Sequence, residues 1–160
     1  MGVNNSFKLV ISMAVSEGAG LLGAMFTSPA IQSGWYATLA KPTLNPPAWV
    51  FAPVWVTLYA LIAVALWIIW TNTAANRKTK QRAVVLFFAQ LGLNALWSVI
   101  FFGEHFIGGA FWEILALWVL ILMTIIYFAK ISRPAAWLLL PYILWVSFAG
   151  YLNYSIWMLN

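Results

Sequence analysis

Residues 48–70 read AWVFAPVWVTLYALIAVALWIIW, twenty-three positions without one charged side chain, Thr57 and Tyr59 carrying the only hydroxyls. About 20 apolar residues rising 1.5 Å each as an α-helix cross the roughly 30 Å hydrocarbon core of a bilayer. No water is present there to satisfy backbone N–H and C=O groups, so a spanning segment must bond within itself and form a helix. The alternation of a transmembrane β-strand is missing. Outward from this stretch the pattern recurs at about residues 7–26, 83–102, 106–128 and 136–158. The chain therefore reads as an all-α integral membrane protein, a five-transmembrane-helix bundle in a single domain over residues 1–160.

Composition agrees. Hydrophobic residues make up 64% of the 160 and charged residues 7%, against about a quarter charged in a soluble domain. Mean hydropathy is +0.91. The net charge of +5 would suggest nucleic acid in a soluble protein, but here the basic residues sit between apolar runs, and no nucleic-acid partner is expected. Lys8, Arg77, Lys78, Lys80, Arg82, Lys130 and Arg133 fall on one side of the expected topology and Lys41 alone on the other. Basic residues stay on the cytoplasmic side. The expectation is a multi-pass protein of a bacterial cell membrane with its N-terminus inside and its C-terminus outside. The Arg77 to Arg82 cluster could also bind anionic lipid. The first segment is read as a retained span rather than a cleaved signal peptide.

Cysteine is absent, which removes disulfides, thiol nucleophiles and Cys-based metal sites. No His, Asp and Glu set has metal-ligand spacing, and no catalytic triad or phosphate loop is recognisable. No metal and no cofactor is expected. Eleven Trp exceed what anchoring five helices at the bilayer interfaces needs, so some should line an interior. Polar residues inside spans usually face that interior too. Gln90, Asn94, Trp97 and Phe101 form one helical stripe, Tyr142, Trp145, Ala149 and Asn153 another, and Trp55 lies one turn from Tyr59. Glu17 and Glu113 are acids within spans. Each has a plainer alternative: Gln90 and Asn94 as interhelical hydrogen-bonding groups, the two acids as structural partners, the tryptophans as packing. His105 is expected to be a solvated loop residue. Ala19 with Gly23, and Ala89, Gly92 and Ala95, suit close approach within a bundle or across a dimer interface.

The connection over residues 27–47 is long for a chain otherwise trimmed to its helices. It carries Trp35, Tyr36 and Leu39 with Pro42, Pro46 and Pro47, which suggests a folded capping loop between the first two spans rather than a tether; the alternative is an interfacial segment resting on lipid.

The residues then become specific enough to name a family. Trp35-Tyr36-x-x-Leu39-x-Lys41-Pro42-x-x-Asn45-Pro46-Pro47-x-Trp49-Val50-Phe51-x-Pro53-Val54-Trp55-x-x-Leu58-Tyr59 resembles the first loop and second helix of the translocator protein family, also called tryptophan-rich sensory proteins or peripheral-type benzodiazepine receptors. Gln90-Leu91-x-Leu93-Asn94-x-x-Trp97 with Phe101-Phe102-Gly103 resembles its third helix. Pro141-Tyr142-x-x-Trp145-x-x-Phe148-Ala149-x-x-Leu152-Asn153-Tyr154 resembles its fifth.

The resemblance implies a homodimer of five-helix bundles with a cavity under the first loop. Implied ligands are porphyrins such as protoporphyrin IX or a heme-related tetrapyrrole, sterols and benzodiazepine-site compounds. Carried over by motif, Tyr36 and the Lys41-Pro42 corner belong to the cap, while Trp55, Gln90, Asn94, Trp145, Ala149 and Leu152 match cavity-lining positions. Glu113 matches an acidic position of some relatives. Two departures are visible. No basic residue follows Tyr154, so the sterol motif of animal members is incomplete, and the formal match at Leu122, Tyr127 and Lys130 is a weak pattern. Gly109 stands where animal members have a cavity tryptophan, which implies a roomier or differently shaped pocket.

Together these lead to a membrane receptor or translocator that binds porphyrins through Trp35, Tyr36, Trp55, Tyr59, Gln90, Asn94, Trp97, Glu113, Tyr142, Trp145, Ala149 and Leu152. One alternative is a light-dependent porphyrin-degrading enzyme with Trp55 and Trp145 as its catalytic residues. Another is a structural or regulatory subunit whose cavity holds membrane lipid.

Overall fold

The computed structural model describes residues 4–160, and five helical stretches in it are long and apolar enough to cross a membrane. Helix α1 is Asn5–Gln32, α2 the single turn Trp35–Thr38, α3 Ala48–Thr71, α4 Arg77–Ser98, α5 Ile107–Ala129, α6 Arg133–Trp137 and α7 Leu140–Leu159. The α1–α3–α4–α5 spans and the α6–α7 pair make up the five crossings. Around the bundle α1 packs on α3 and α4, α4 on α5, and α5 on α7, while α3 meets α6 and touches α7 only lightly.

Four boundaries differ from those expected. Helix α1 runs past Phe26 to Gln32, since Thr27 bonds back to the Gly23 carbonyl (3.1 Å) and Pro29 sits within the helix. Gly34, at φ +82°, then turns the chain in a conformation that side chains with a Cβ rarely adopt. The expected long loop over residues 27–47 therefore shrinks to residues 33–47 and contains α2. Helix α4 starts at Arg77 rather than Ala83, its N-terminus capped by the Asn76 side chain, which accepts from the Lys78 and Thr79 amides. It ends in a π-helical turn, Val99–Gly103, closed by the Glu104 amide on the Val99 carbonyl (2.8 Å). The last span is broken after Trp137, and α7 begins with Pro141 in its first turn, where a missing N–H matters least.

The basic residues gather at one end. Trp67 Nε1 donates to the Asn5 carbonyl, Lys80 Nζ to the Trp70 and Asn72 carbonyls (2.7 and 2.8 Å), and Asn72 to Ile131. These bonds bring the start of α1, the α3–α4 turn and the α5–α6 turn together, with the lysine satisfying carbonyls that the end of α3 leaves open. At the opposite end Asn160 exchanges two 3.0 Å bonds with the Ala40 backbone, beside Lys41.

Packing is close where α1 crosses α3. A Cβ on Gly20 would lie 2.5 Å from the Tyr59 ring, whereas one on Gly18 would meet nothing within 4 Å. Overpacking of this sort costs about 1–3 kcal/mol. Gly20→Ala is expected to lower thermal stability in detergent by that amount. Gly18→Ala should leave it unchanged or raise it by up to ~1 kcal/mol through helix propensity. Equal melting of the two variants would show that Tyr59 yields.

Candidate functional site

A cavity of about 370 Å³ opens in the half of the bundle away from the basic end. That volume lies within the roughly 300–1,000 Å³ of small-molecule sites. Its wall comes from the C-terminal half of α1, the N-terminal half of α3, the end of α4 with its π-turn, and α7; no residue of α5 lines it. The light contact between α3 and α7 leaves the space.

The inner end is a hydrogen-bonded floor. Tyr59 donates its hydroxyl proton to Asn94 Oδ1, Asn94 Nδ2 donates to the Tyr142 hydroxyl (3.1 Å), and Tyr142 donates to Gln90 Oε1 (2.8 Å). All four residues are buried and the chain ties α3, α4 and α7 together. Polar side chains in hydrocarbon need partners, and these supply one another except at Gln90 Nε2, which is buried without a partner among the described residues. Above the floor the walls are aromatic. Trp55 stacks on Tyr59 with centroids 5.4 Å apart and meets Tyr142 edge-on at 6.3 Å. Across from it Trp145 sits edge-on to Phe51 at 5.9 Å, and Trp97 stacks on Phe101 at 4.9 Å. Trp97 Nε1 donates to Asn153 (3.0 Å), which in turn donates to the Ile107 carbonyl (2.9 Å), so the indole plane is locked.

The outer end is tied down. Tyr36 lines the cavity and donates its hydroxyl to Asn45 Oδ1 (3.1 Å), with Lys41 Nζ 4.6 Å from its ring centroid. Burial pushes the Tyr36 hydroxyl above the usual tyrosine range, and the Asn45 bond draws it partly back. A folded-state value above the unfolded one means that its contribution to stability is complete below the usual tyrosine range. It fades as pH rises through the raised value. Trp35 packs edge-on against Phe101 and Phe102 and stacks on the exposed His105 at 3.9 Å. His105 is a loop residue, as expected, held at φ +53° where the chain turns from the π-turn into α5.

Of the residues singled out in the sequence, the cavity brings together Tyr36, Trp55, Tyr59, Asn94, Trp97, Trp145, Ala149 and Leu152. It does not include four others. Trp35 lies outside, against the π-turn. Gln90 and Tyr142 are the floor beneath the cavity, because the stripe containing Gln90 runs on toward the basic end after the open space has ended. Glu113 is on α5, off the wall, with both carboxyl oxygens buried and without a hydrogen-bond partner among the described residues. Gly109 is also off the wall, and a Cβ there would meet the Phe106 ring rather than the cavity. On α1 the wall is Glu17, expected as an acid within a span, with Gly20, Ala24, Thr27 and Ser28, which the sequence does not mark as site residues. The small side chains of these four at helical spacing are the available signal, and they read equally well as a packing face.

The chain matches the TspO/MBR family over residues 12–158. It belongs to that family. It is 42% identical to the tryptophan-rich protein TspO of Archaeoglobus fulgidus, covering 98% of this chain and 99% of the relative. A TspO protein of Chlorobaculum tepidum is 41% identical, with 96% and 98% covered. The translocator protein of Bos taurus is 38% identical over 88% of this chain and 83% of its own length. Family membership and the five apolar helices together make this an integral, multi-pass membrane protein.

Two outcomes follow from the polar contacts. Tyr142→Phe removes the hydroxyl joining Asn94 to Gln90 and should cost about 0.6–1.7 kcal/mol by thermal unfolding, while Tyr151→Phe, on the exposed face, should cost nothing measurable. Asn160→Ala should raise amide exchange at Ala40 about fivefold, the loss of roughly 1 kcal/mol of hydrogen bonding. An unchanged rate at Ala40 would show that the C-terminal residue does not hold the connection.

Proposed function

We propose that this TspO/MBR protein is a membrane receptor or translocator for a porphyrin such as protoporphyrin IX or a heme-related tetrapyrrole. The observation that carries this reading is the aromatic wall formed by Trp55, Trp97 and Trp145 with Tyr59, Phe51 and Phe101 around one cavity. A flat macrocycle offers two faces for stacking, and offset or edge-on contacts with indole rings add about 0.5–1.5 kcal/mol each beyond area burial. The Asn94 and Asn153 amides, Ser98 and the Tyr36 hydroxyl supply a few fixed polar groups at the edges, the composition of a small-molecule site. Lys41, beside Tyr36, supports placing the ligand's carboxylates toward the outer end. The names of the animal relatives, translocator proteins, support the translocator part of this reading.

The uneven basic residues support an N-terminus inside and the cavity opening toward the outer half. In that arrangement residues 33–47 act as a lid over the bound ligand. Ala89 and Gly92 face outward on α4, which supports pairing of two copies of the chain along that face.

Titrating protoporphyrin IX into the purified protein should quench tryptophan fluorescence saturably. Trp55→Phe and Trp145→Phe should each weaken binding by about 1 kcal/mol, five- to tenfold in Kd. Linear, non-saturable quenching would end the porphyrin reading. The same variants separate binding from chemistry: a light-dependent loss of the porphyrin band that both abolish would favour the degrading enzyme.

A further inference from the structure

The cavity has two possible mouths, and the segment at one of them is tied down. At the outer end the Asn160 bonds to Ala40, the Tyr36–Asn45 bond and the Trp35–His105 stack hold residues 33–47 in place. The flank between α1 and α3 is different. Leu21 and Ile31 on α1 and Val56 on α3 line the cavity and are at the same time 69%, 44% and 58% exposed on the surface of the bundle. Ala24 and Ser28 on α1 and Ala48 and Ala52 on α3 also line the cavity while facing outward. These rows follow helical spacing on two neighbouring helices, so the same strip of each helix borders both the interior and the lipid. Toward the basic end the Tyr59 ring, seated on Gly20, shuts the gap. All these positions lie within membrane-spanning helices, and apart from Ser28 they are apolar.

We infer that the cavity exchanges its ligand with the bilayer through this slot between α1 and α3, not through the water-facing outer end. The ligand class that follows is a lipid-dissolved molecule, flat enough to pass edge-first between two helices and apolar on both faces. Small side chains make the slot: Ala24 and Ala52 both line the cavity and are exposed, so a bulky residue at either would fill it. This inference takes the route from the exposed strip and adds it to the proposed porphyrin reading, but its test needs no porphyrin.

The chain has no cysteine, so a single thiol reports on access. Ser98→Cys, a near-isosteric change on the cavity wall, is reconstituted in nanodiscs and treated with a bilayer-dissolved N-alkyl maleimide or a water-confined sulfonated maleimide; Ala149→Cys is the second reporter. The alkyl reagent should label about tenfold faster than the sulfonated one, relative to a solvent-exposed Thr38→Cys control, and Ala24→Trp or Ala52→Trp should each slow the alkyl reaction about tenfold. Asn160→Ala, which loosens the outer end, should speed only the sulfonated reagent. Faster labelling by the sulfonated reagent, or alkyl labelling indifferent to both tryptophan plugs, would overturn the slot. A working slot in a protein that shows no saturable porphyrin quenching would overturn the porphyrin reading alone.

Discussion

Tyr59, Asn94, Tyr142 and Gln90 form one directional chain of hydrogen bonds through the middle of the bundle, and the site depends on it. Membrane helices gain no hydrophobic energy from leaving lipid for one another, so packing and hydrogen bonds set their relative positions. Here the bonds join α4 to α3 on one side and to α7 on the other. They hold these three helices at the bilayer's depth and permit α3 and α7 to separate beyond that point. The cavity begins where the chain of bonds ends. Trp55, stacked on one member and edge-on to another, takes its orientation from the same network.

The two ends of the molecule are built for different tasks. The basic end is closed by backbone carbonyls that accept from Lys80 and Asn72. The other end is assembled from irregular backbone: the left-handed Gly34, the π-turn after α4 and the left-handed His105. Gly34 and His105 lie in the connections between helices, and the π-turn closes on the Glu104 amide. The π-turn puts Phe101 into the wall against Trp97 and turns Phe102 toward Trp35 and Tyr36, so one backbone irregularity serves both the cavity and residues 33–47.

A receptor for a membrane-dissolved molecule needs an interior more attractive than the lipid it competes with. Apolar area alone cannot provide this, because lipid is equally apolar. Oriented aromatic faces and a few fixed polar groups can, and the walls hold both. The two acids within the spans differ in kind: Glu17 faces the cavity, while Glu113 sits on a helix that contributes nothing to it. Their equivalence in the sequence, one acid per span, does not survive folding.

Five helices, their order and the gathering of basic residues at one end were legible in the chain, because hydrocarbon thickness and backbone desolvation act on each segment separately. The family was legible as well, through motifs such as Trp35-Tyr36 and Asn45-Pro46-Pro47. Helix ends depart from the hydrophobic pattern where hydrophobicity and capping disagree: Thr27 to Gln32 continue α1 by local hydrogen bonding, and Arg77 to Arg82 belong to α4 although they are polar. The depth of the cavity was decided only by tertiary structure. Gln90 and Asn94 are one turn apart on the same stripe, yet Asn94 meets open space and Gln90 does not, since the α3–α7 separation lies between them. The α1 wall was hidden for the same physical reason. Small residues on a helix mark a close approach, and only the positions of the neighbouring helices determine whether a side chain or a gap fills the space beside them.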